Sequence, residues 1–316
     1  MKFKKILMLD FAENTLEPPY WKRIDTLCEK KILLPRDSPE ISNHLADTDC
    51  ILVNFLPTVN KKLVDSTPNL KYIGVLATGY GKIDTAYATT KGIPVCNIPG
   101  YATEAVAEFA FAVILEHIRD LERGKKQAGE GNYSESTFFH VYEIKDKKFG
   151  IIGLGNIGTR IAEIALGFGA NVQYWSKDRK KDYEAKGIKY QELTNLIKEC
   201  DFISFNLALN KETEKIINKK LVQSIKPGAV VINLAPMELL DIDALKERLK
   251  KNDLIFILDH TDELTPENAK QLSKFKNSIM YPPIAYTTKE ATICKQEKFV
   301  SNLENFLKGQ PSNKVN

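Results

Sequence analysis

Residues Gly153, Leu154, Gly155, Asn156, Ile157 and Gly158 follow the apolar run 149–152, and the helix-spaced set Ile157, Ile161, Ile164, Ala165 and Phe168 continues from them. A strand, a GxGxxG turn and a helix in that order form the opening βα unit of a dinucleotide-binding sheet. The first glycine permits a tight turn, and the second lets a pyrophosphate approach the backbone. The third lets helix pack on strand, so that the helix N-terminus faces the phosphates. The alternative is an ordinary strand-turn-helix whose glycines serve packing alone.

The rest of the chain fits an α/β architecture. Apolar runs at 5–9, 50–54, 72–75 and 94–96 alternate with amphipathic stretches, and the alternation restarts with 148–153, 171–175, 201–206, 229–233, 254–258 and 278–281. Parallel strands joined by crossover helices produce that pattern, and the restart implies two units. A helix over 102–122, carrying Val106, Phe109, Val113 and His117 on one stripe, is expected to connect them before a polar stretch at 123–146. A second helix is expected over 288–308, stopped by Gly309 and Pro311.

Charge and cysteine content narrow the function. In 316 residues, 45 Lys and Arg offset 41 Asp and Glu, which argues against a nucleic-acid partner. Five cysteines, odd in number and never spaced as CxxC, argue against a disulfide framework or a metal site. The apolar run near the N-terminus meets Asp10 at once, so no secretory signal or membrane span is expected, and the reading is cytoplasmic. There are four histidines, His44, His117, His140 and His260, and any histidine-dependent mechanism must draw on them.

The end of the second strand of a dinucleotide unit, about 20 residues after the glycines, usually offers a carboxylate to the ribose. Here Trp175 is followed by Ser176, Lys177, Asp178 and Arg179. A hydroxyl followed by two cations favours the 2′-phosphate of NADP(H), with NAD(H) kept as the alternative if Asp178 serves the ribose.

Together these residues resemble the D-isomer-specific 2-hydroxyacid dehydrogenases, in the branch with glycerate dehydrogenases and hydroxypyruvate reductases. The likeness runs through LKYIGVLATG at 70–79, GIPVCNIPGYATEAVAEFA at 92–110 and KKFGIIGLGNIG at 147–158. It continues in KETEKIIN at 211–218, KPGAVVINLA at 226–235 and GQPSNKVN at 309–316. The resemblance implies two doubly wound parallel-sheet domains. One is a flavodoxin-like substrate-binding (lid) domain at 1–100 and 287–316, the other a Rossmann-type dinucleotide-binding domain at 101–286, and the assembly is a homodimer built on the 102–122 helix. It extends the cofactor contacts to Val106, Leu207, Ala208, Thr213, Leu234, Ala235 and Asp259. It assigns the substrate carboxylate to the backbone of Ala77, Thr78 and Gly79; Lys82, which stands where the family usually has Asn, and Tyr286 are further substrate candidates as a cation and a phenol.

The resemblance also exposes departures. The family uses a His as acid/base, a Glu that holds it and an Arg on the substrate carboxylate and carbonyl, because a forming alkoxide needs a proton and an anionic substrate a cation. The Arg position, three residues after Asn233, is Pro236, and the His position is Pro283. The spacing that gives the Glu lands on Leu264, one residue from Glu263 and near Asp262. Along a continuing strand His260 would point away from the Asp259 side, which makes it a packed or surface residue. Two functions remain open: an NAD(P)-dependent oxidoreductase with an altered site, acting on a small 2-oxo acid such as glyoxylate or hydroxypyruvate or on an atypical substrate, and a non-catalytic NAD(P)-binding or sensing protein.

Overall fold

The computed structural model describes residues 2–133, 139 and 141–316, so His140 lies outside the described residues. The chain divides into two compact units, Met1–Ala102 with Thr288–Asn316, and Thr103–Thr287.

The first unit is a parallel sheet of β1 (Phe3–Leu9), β2 (Cys28–Leu34), β3 (Cys50–Val53), β4 (Tyr72–Val75) and β5 (Val95–Cys96) in the order β2-β1-β3-β4-β5. This is the flavodoxin-like doubly wound order. Fully buried strands such as CILV and YIGV need cover on both faces. One face packs Ile6, Met8, Leu52 and Tyr72 against Phe299, Val300 and Leu303 of the helix Lys289–Leu307. The other packs Leu7, Ile51, Ile73 and Val75 against Val64, Ile83 and Ala88. The last residues run beside β5, where Val315 donates its N–H to the Val95 carbonyl at 2.9 Å and the Asn316 side chain accepts from the Val95 N–H at 2.8 Å.

The second unit is a seven-stranded parallel sheet. Its strands are β6 (Lys148–Ile152), β7 (Asn171–Trp175), β8 (Lys189–Tyr190), β9 (Phe202–Phe205), β10 (Val230–Asn233), β11 (Ile255–Leu258) and β12 (Ser278–Met280). They lie in the order β12-β11-β10-β9-β6-β7-β8. The chain starts at β6 in the interior, winds outward through β7 and β8, then returns to β9 and winds the other way. That reversal defines a Rossmann-type switch point between β6 and β9. Stacked rings of Phe111, Phe149 and Phe202 support one face, and Leu196, Leu221, Leu245 and Leu272 the other.

Two expectations need correction. The segment at 28–34 is not helical: CEKKILL forms β2, an edge strand with one neighbour, so its charged residues meet solvent and the alternation that marks a half-buried strand is missing. The helix expected over 102–122 ends at Ile118. Asp120 then takes a left-handed conformation (φ 49°) and starts a second helix, Leu121–Gly129, inside the stretch read as polar connection. Asp tolerates that conformation better than most residues, and no Gly or Pro marks the break. Among the described residues, no helix is long and apolar enough to cross a membrane.

Candidate functional site

In a parallel sheet all strands end on the same side, and the ends of β6, β7, β9, β10, β11 and β12 carry most of the candidate residues. At the end of β6 the three glycines meet three different environments. Gly153 has φ 98°, and a Cβ there would stand 2.9 Å from the Asn206 backbone. A Cβ on Gly158 would lie 2.0 Å from the Gly153 carbonyl oxygen. A Cβ on Gly155 would meet nothing within 4 Å. The first and third glycines are therefore demanded by the fold itself, and the second leaves open space at the N-cap of the helix Asn156–Gly167. No side chain caps that N-terminus. Its first N–H groups lack intrahelical partners and suit a phosphate. Asn156 is exposed and Ile157 half-buried at this opening, so the cradle fits a dinucleotide pyrophosphate.

At the end of β7 the Ser176 hydroxyl donates to the Asp178 carbonyl at 2.6 Å. Lys177, with 73% of its side chain exposed, pairs with Glu212 at 2.5 Å. Arg179 makes a two-pronged contact with Glu184 at 2.7 and 2.8 Å and lies over the Tyr190 ring. Beyond β9, Leu207 and Ala208 form a loop tied by Thr213, whose hydroxyl donates to the Ala208 carbonyl at 2.7 Å. Leu234, Ala235 and Val106 are buried.

The ends of β10, β11 and β12 are stitched together by two carboxylates. Asp259, 2% exposed, accepts the N–H groups of Ile284 and Ala285 on Oδ1, both at 3.2 Å. Glu263 accepts the Met237 N–H on Oε2 at 2.8 Å. These receivers directly follow the prolines: Met237 follows Pro236, and Ile284 and Ala285 follow Pro283. Between the carboxylates stands His260, its Nε2 3.7 Å from Asp259 Oδ2 and its Nδ1 3.7 Å from Glu263 Oε1. Burial raises both carboxyl pKa values above their ordinary range, and the opposing pull of His260 and of the backbone N–H groups does not cancel it. Burial, then the charges of Asp262 and Asp259, raise that of the Tyr286 phenol. Leu264, where the family spacing lands, packs instead against the apolar core.

The orientation read for His260 is corrected here. The strand ends at Leu258 and a 3-10 turn at Thr261–Glu263 follows, so strand alternation no longer governs the side chain, which faces Asp259. A His three residues before a Glu across a tight turn was the available sequence signal. His117 is half-buried on the helix Thr103–Ile118, and burial lowers its pKa. His44 belongs to the first unit, where its carbonyl accepts the Thr48 hydroxyl. Tyr281 donates to Glu116 at 3.1 Å, and burial together with that carboxylate pushes its pKa up to about 12.

In the first unit, the hydrogen bonds that hold the 77–79 turn engage its carbonyls and the Thr78 hydroxyl: Ile98 N–H reaches the Ala77 carbonyl and the Asn97 amide the Thr78 carbonyl. Ala77 is buried, while Thr78, Gly79 and Lys82 are exposed, and the Lys82 ammonium sits 5.7 Å from the Phe55 ring centre.

Residues 111–285 match a family model described as "D-isomer specific 2-hydroxyacid dehydrogenase, NAD binding domain". The chain is 35% identical to a glyoxylate reductase of Thermococcus litoralis, covering 100% of this chain and 97% of that one. It is 31% identical to a hydroxypyruvate reductase of Blautia hydrogenotrophica, covering 94% of each. Among solved structures, an acyclic imino acid reductase (Bsp5) in complex with NADPH and D-Arg superposes with a TM-score of 0.86 at 29% identity, covering 99% of this chain and 100% of that one.

Proposed function

Because the chain belongs to the D-isomer specific 2-hydroxyacid dehydrogenase family, we propose that it is an NAD(P)H-dependent reductase of a small 2-oxo acid, of the glyoxylate or hydroxypyruvate kind, working with an altered set of groups around the reacting carbon. The observation that carries the reading is the glycine turn, open only at Gly155 and backed by the uncapped N-terminus of the Asn156–Gly167 helix. Bound reduced nicotinamide would supply the hydride to C2. The chain's own share is to hold the pyrophosphate at 153–158, to receive the substrate carboxylate at the 77–79 backbone and to manage one proton. Pro236 and Pro283 have no side-chain donor or cation, so the Arg and His of the family route are replaced.

NADP(H) is the favoured cofactor. Ser176, Lys177 and Arg179 would meet the 2′-phosphate, and the pairs of Lys177 with Glu212 and Arg179 with Glu184 would open to do so. Exposed ion pairs are screened by solvent and hold only weakly, so opening them costs little.

The test is a fluorescence titration with NADPH and NADH, followed by cofactor oxidation with glyoxylate and with hydroxypyruvate. Tighter NADPH binding and turnover on either acid are expected. Cofactor binding with no turnover would favour a non-catalytic dinucleotide-binding protein instead. The NADPH-bound imino acid reductase favours a second reading in which the electrophile is a 2-imino acid. A protonated imine becomes a neutral amine on reduction and needs no proton donor. Turnover that requires added ammonium or methylamine would select it.

A further inference from the structure

We propose that His260 is the proton donor and acceptor at the substrate oxygen, held between Asp259 and Glu263 in place of the acid/base that a histidine at position 283 would supply. The proposal rests on the 2-oxo acid reading above and adds the residue that completes its chemistry.

Each carboxylate divides its two oxygens between the backbone and the ring. Asp259 gives Oδ1 to the N–H groups of Ile284 and Ala285 and turns Oδ2 toward His260 Nε2. Glu263 gives Oε2 to the Met237 N–H and turns Oε1 toward His260 Nδ1. The imidazole is thereby tethered to the two turns that hold Pro236 and Pro283, where the family resemblance places its Arg and His. Its side chain is 26% exposed, accessible to a small substrate and to the water that restores its proton.

At 3.7 Å the two contacts are longer than a hydrogen bond. They orient the ring between the two carboxyl groups and leave its N–H bonds available to a substrate. The charges of Asp262 on the same loop and of Glu238 after β10 act on these carboxyl groups, and the Tyr286 phenol after β12 lies under the charges of Asp262 and Asp259. Tyr286 is the poorer donor, because burial and the nearby carboxylates hold its phenol in the protonated form.

The step balances. As hydride reaches C2, the carbonyl π pair moves to oxygen, and the imidazolium N–H bond breaks to form the O–H of the alcohol. Neutral imidazole then takes a proton from water. In oxidation the imidazole removes the hydroxyl proton as hydride leaves C2.

The experiment compares wild type with His260→Gln and Glu263→Gln. For His260→Gln, kcat is expected to fall about 100-fold or more, the usual worth of a positioned acid, while NADPH binding stays unchanged, which shows that the variant is folded. A second readout avoids turnover: oxamate, a carboxylate with an amide carbonyl, is titrated into the NADPH complex by nicotinamide fluorescence. Wild-type binding should weaken as pH rises, and that dependence should vanish in His260→Gln. Glu263→Gln should displace the same limb, in binding and in kcat/KM, toward acid.

If His260→Gln keeps kcat within threefold of wild type, or keeps the wild-type pH limb, the assignment of His260 is overturned while the reductase reading stands. A wild-type protein that binds NADPH but turns over no 2-oxo acid overturns both.

Discussion

The turn after β6 and the turns after β10, β11 and β12 lie on one side of one sheet, yet they are specified in different ways. At 153–158 the geometry depends on side chains that are absent: a Cβ at Gly158 would stand 2.0 Å from a carbonyl oxygen, while one at Gly155 would meet nothing. At the other ends the geometry depends on carboxylates that reach across turns to backbone N–H groups, as Asp259 does to Ile284 and Ala285. A backbone-built site shows in sequence as a fixed glycine spacing. A site built by side chains crossing between loops shows only once the loops are placed, and it can change its chemistry while the sheet beneath it stays the same.

The largest effects should come from the glycines, and they test whether the first turn divides its duties as described. Gly158→Ala should lower stability by about 1–3 kcal/mol or more, the range for overpacking a tight contact, and abolish NADPH binding. Gly155→Ala should leave stability within about 0.5 kcal/mol of wild type yet weaken NADPH binding about tenfold or more, equal to about 1.4 kcal/mol. Urea unfolding and fluorescence titration measure the two sides. Equal loss of stability in both variants would break the distinction.

A smaller effect probes the carboxylate turns. Burial holds the folded-state pKa of Glu263 above its ordinary 4.5. Between those two values the folded chain binds more protons than the unfolded one, so this group's contribution to stability is full below the unfolded pKa and is lost as pH rises through the folded one. Glu263→Gln imitates the protonated form and keeps an oxygen for the Met237 N–H. Its stability relative to wild type should therefore increase as pH rises from 4 toward 7, as read by urea midpoints across that roughly three-unit interval. A constant difference would show that the ionised carboxylate carries no burial cost.

The smallest effect concerns Lys177, exposed and paired with Glu212. Lys177→Ala should weaken NADPH binding only about threefold, because an exposed charge is well screened, and leave NADH binding unchanged. An equal change for both cofactors would remove the 2′-phosphate from its role.

Much of the fold is legible in the chain. The strands Tyr72–Val75 and Asn171–Trp175 match their expected bounds residue for residue, the first because a fully buried parallel strand reads as a nearly continuous apolar run, the second because buried Val172 and Tyr174 alternate with more exposed neighbours. β2 escapes because an edge strand carries Glu29 and Lys30 into solvent, and the break at Asp120 escapes because aspartate marks it where glycine would have been conspicuous. In the site, Gly153, Gly155 and Gly158 are legible since their constraint is local. The environment of His260 is not, since it depends on where β11 stops and on how the Thr261–Glu263 turn redirects the chain, neither of which apolar periodicity encodes.

The first unit takes residues from both ends of the chain, with the helix Lys289–Leu307 covering one face of its sheet. On a ribosome, all of Thr103–Thr287 emerges before that helix does. The strands made first must therefore wait, with Ile6, Met8, Leu52 and Tyr72 lacking their partners Phe299, Val300 and Leu303, while the unit encoded later is already able to fold. Order of synthesis and order of completion are thus reversed in this chain, and the interval between them is when the nascent protein is most exposed to aggregation.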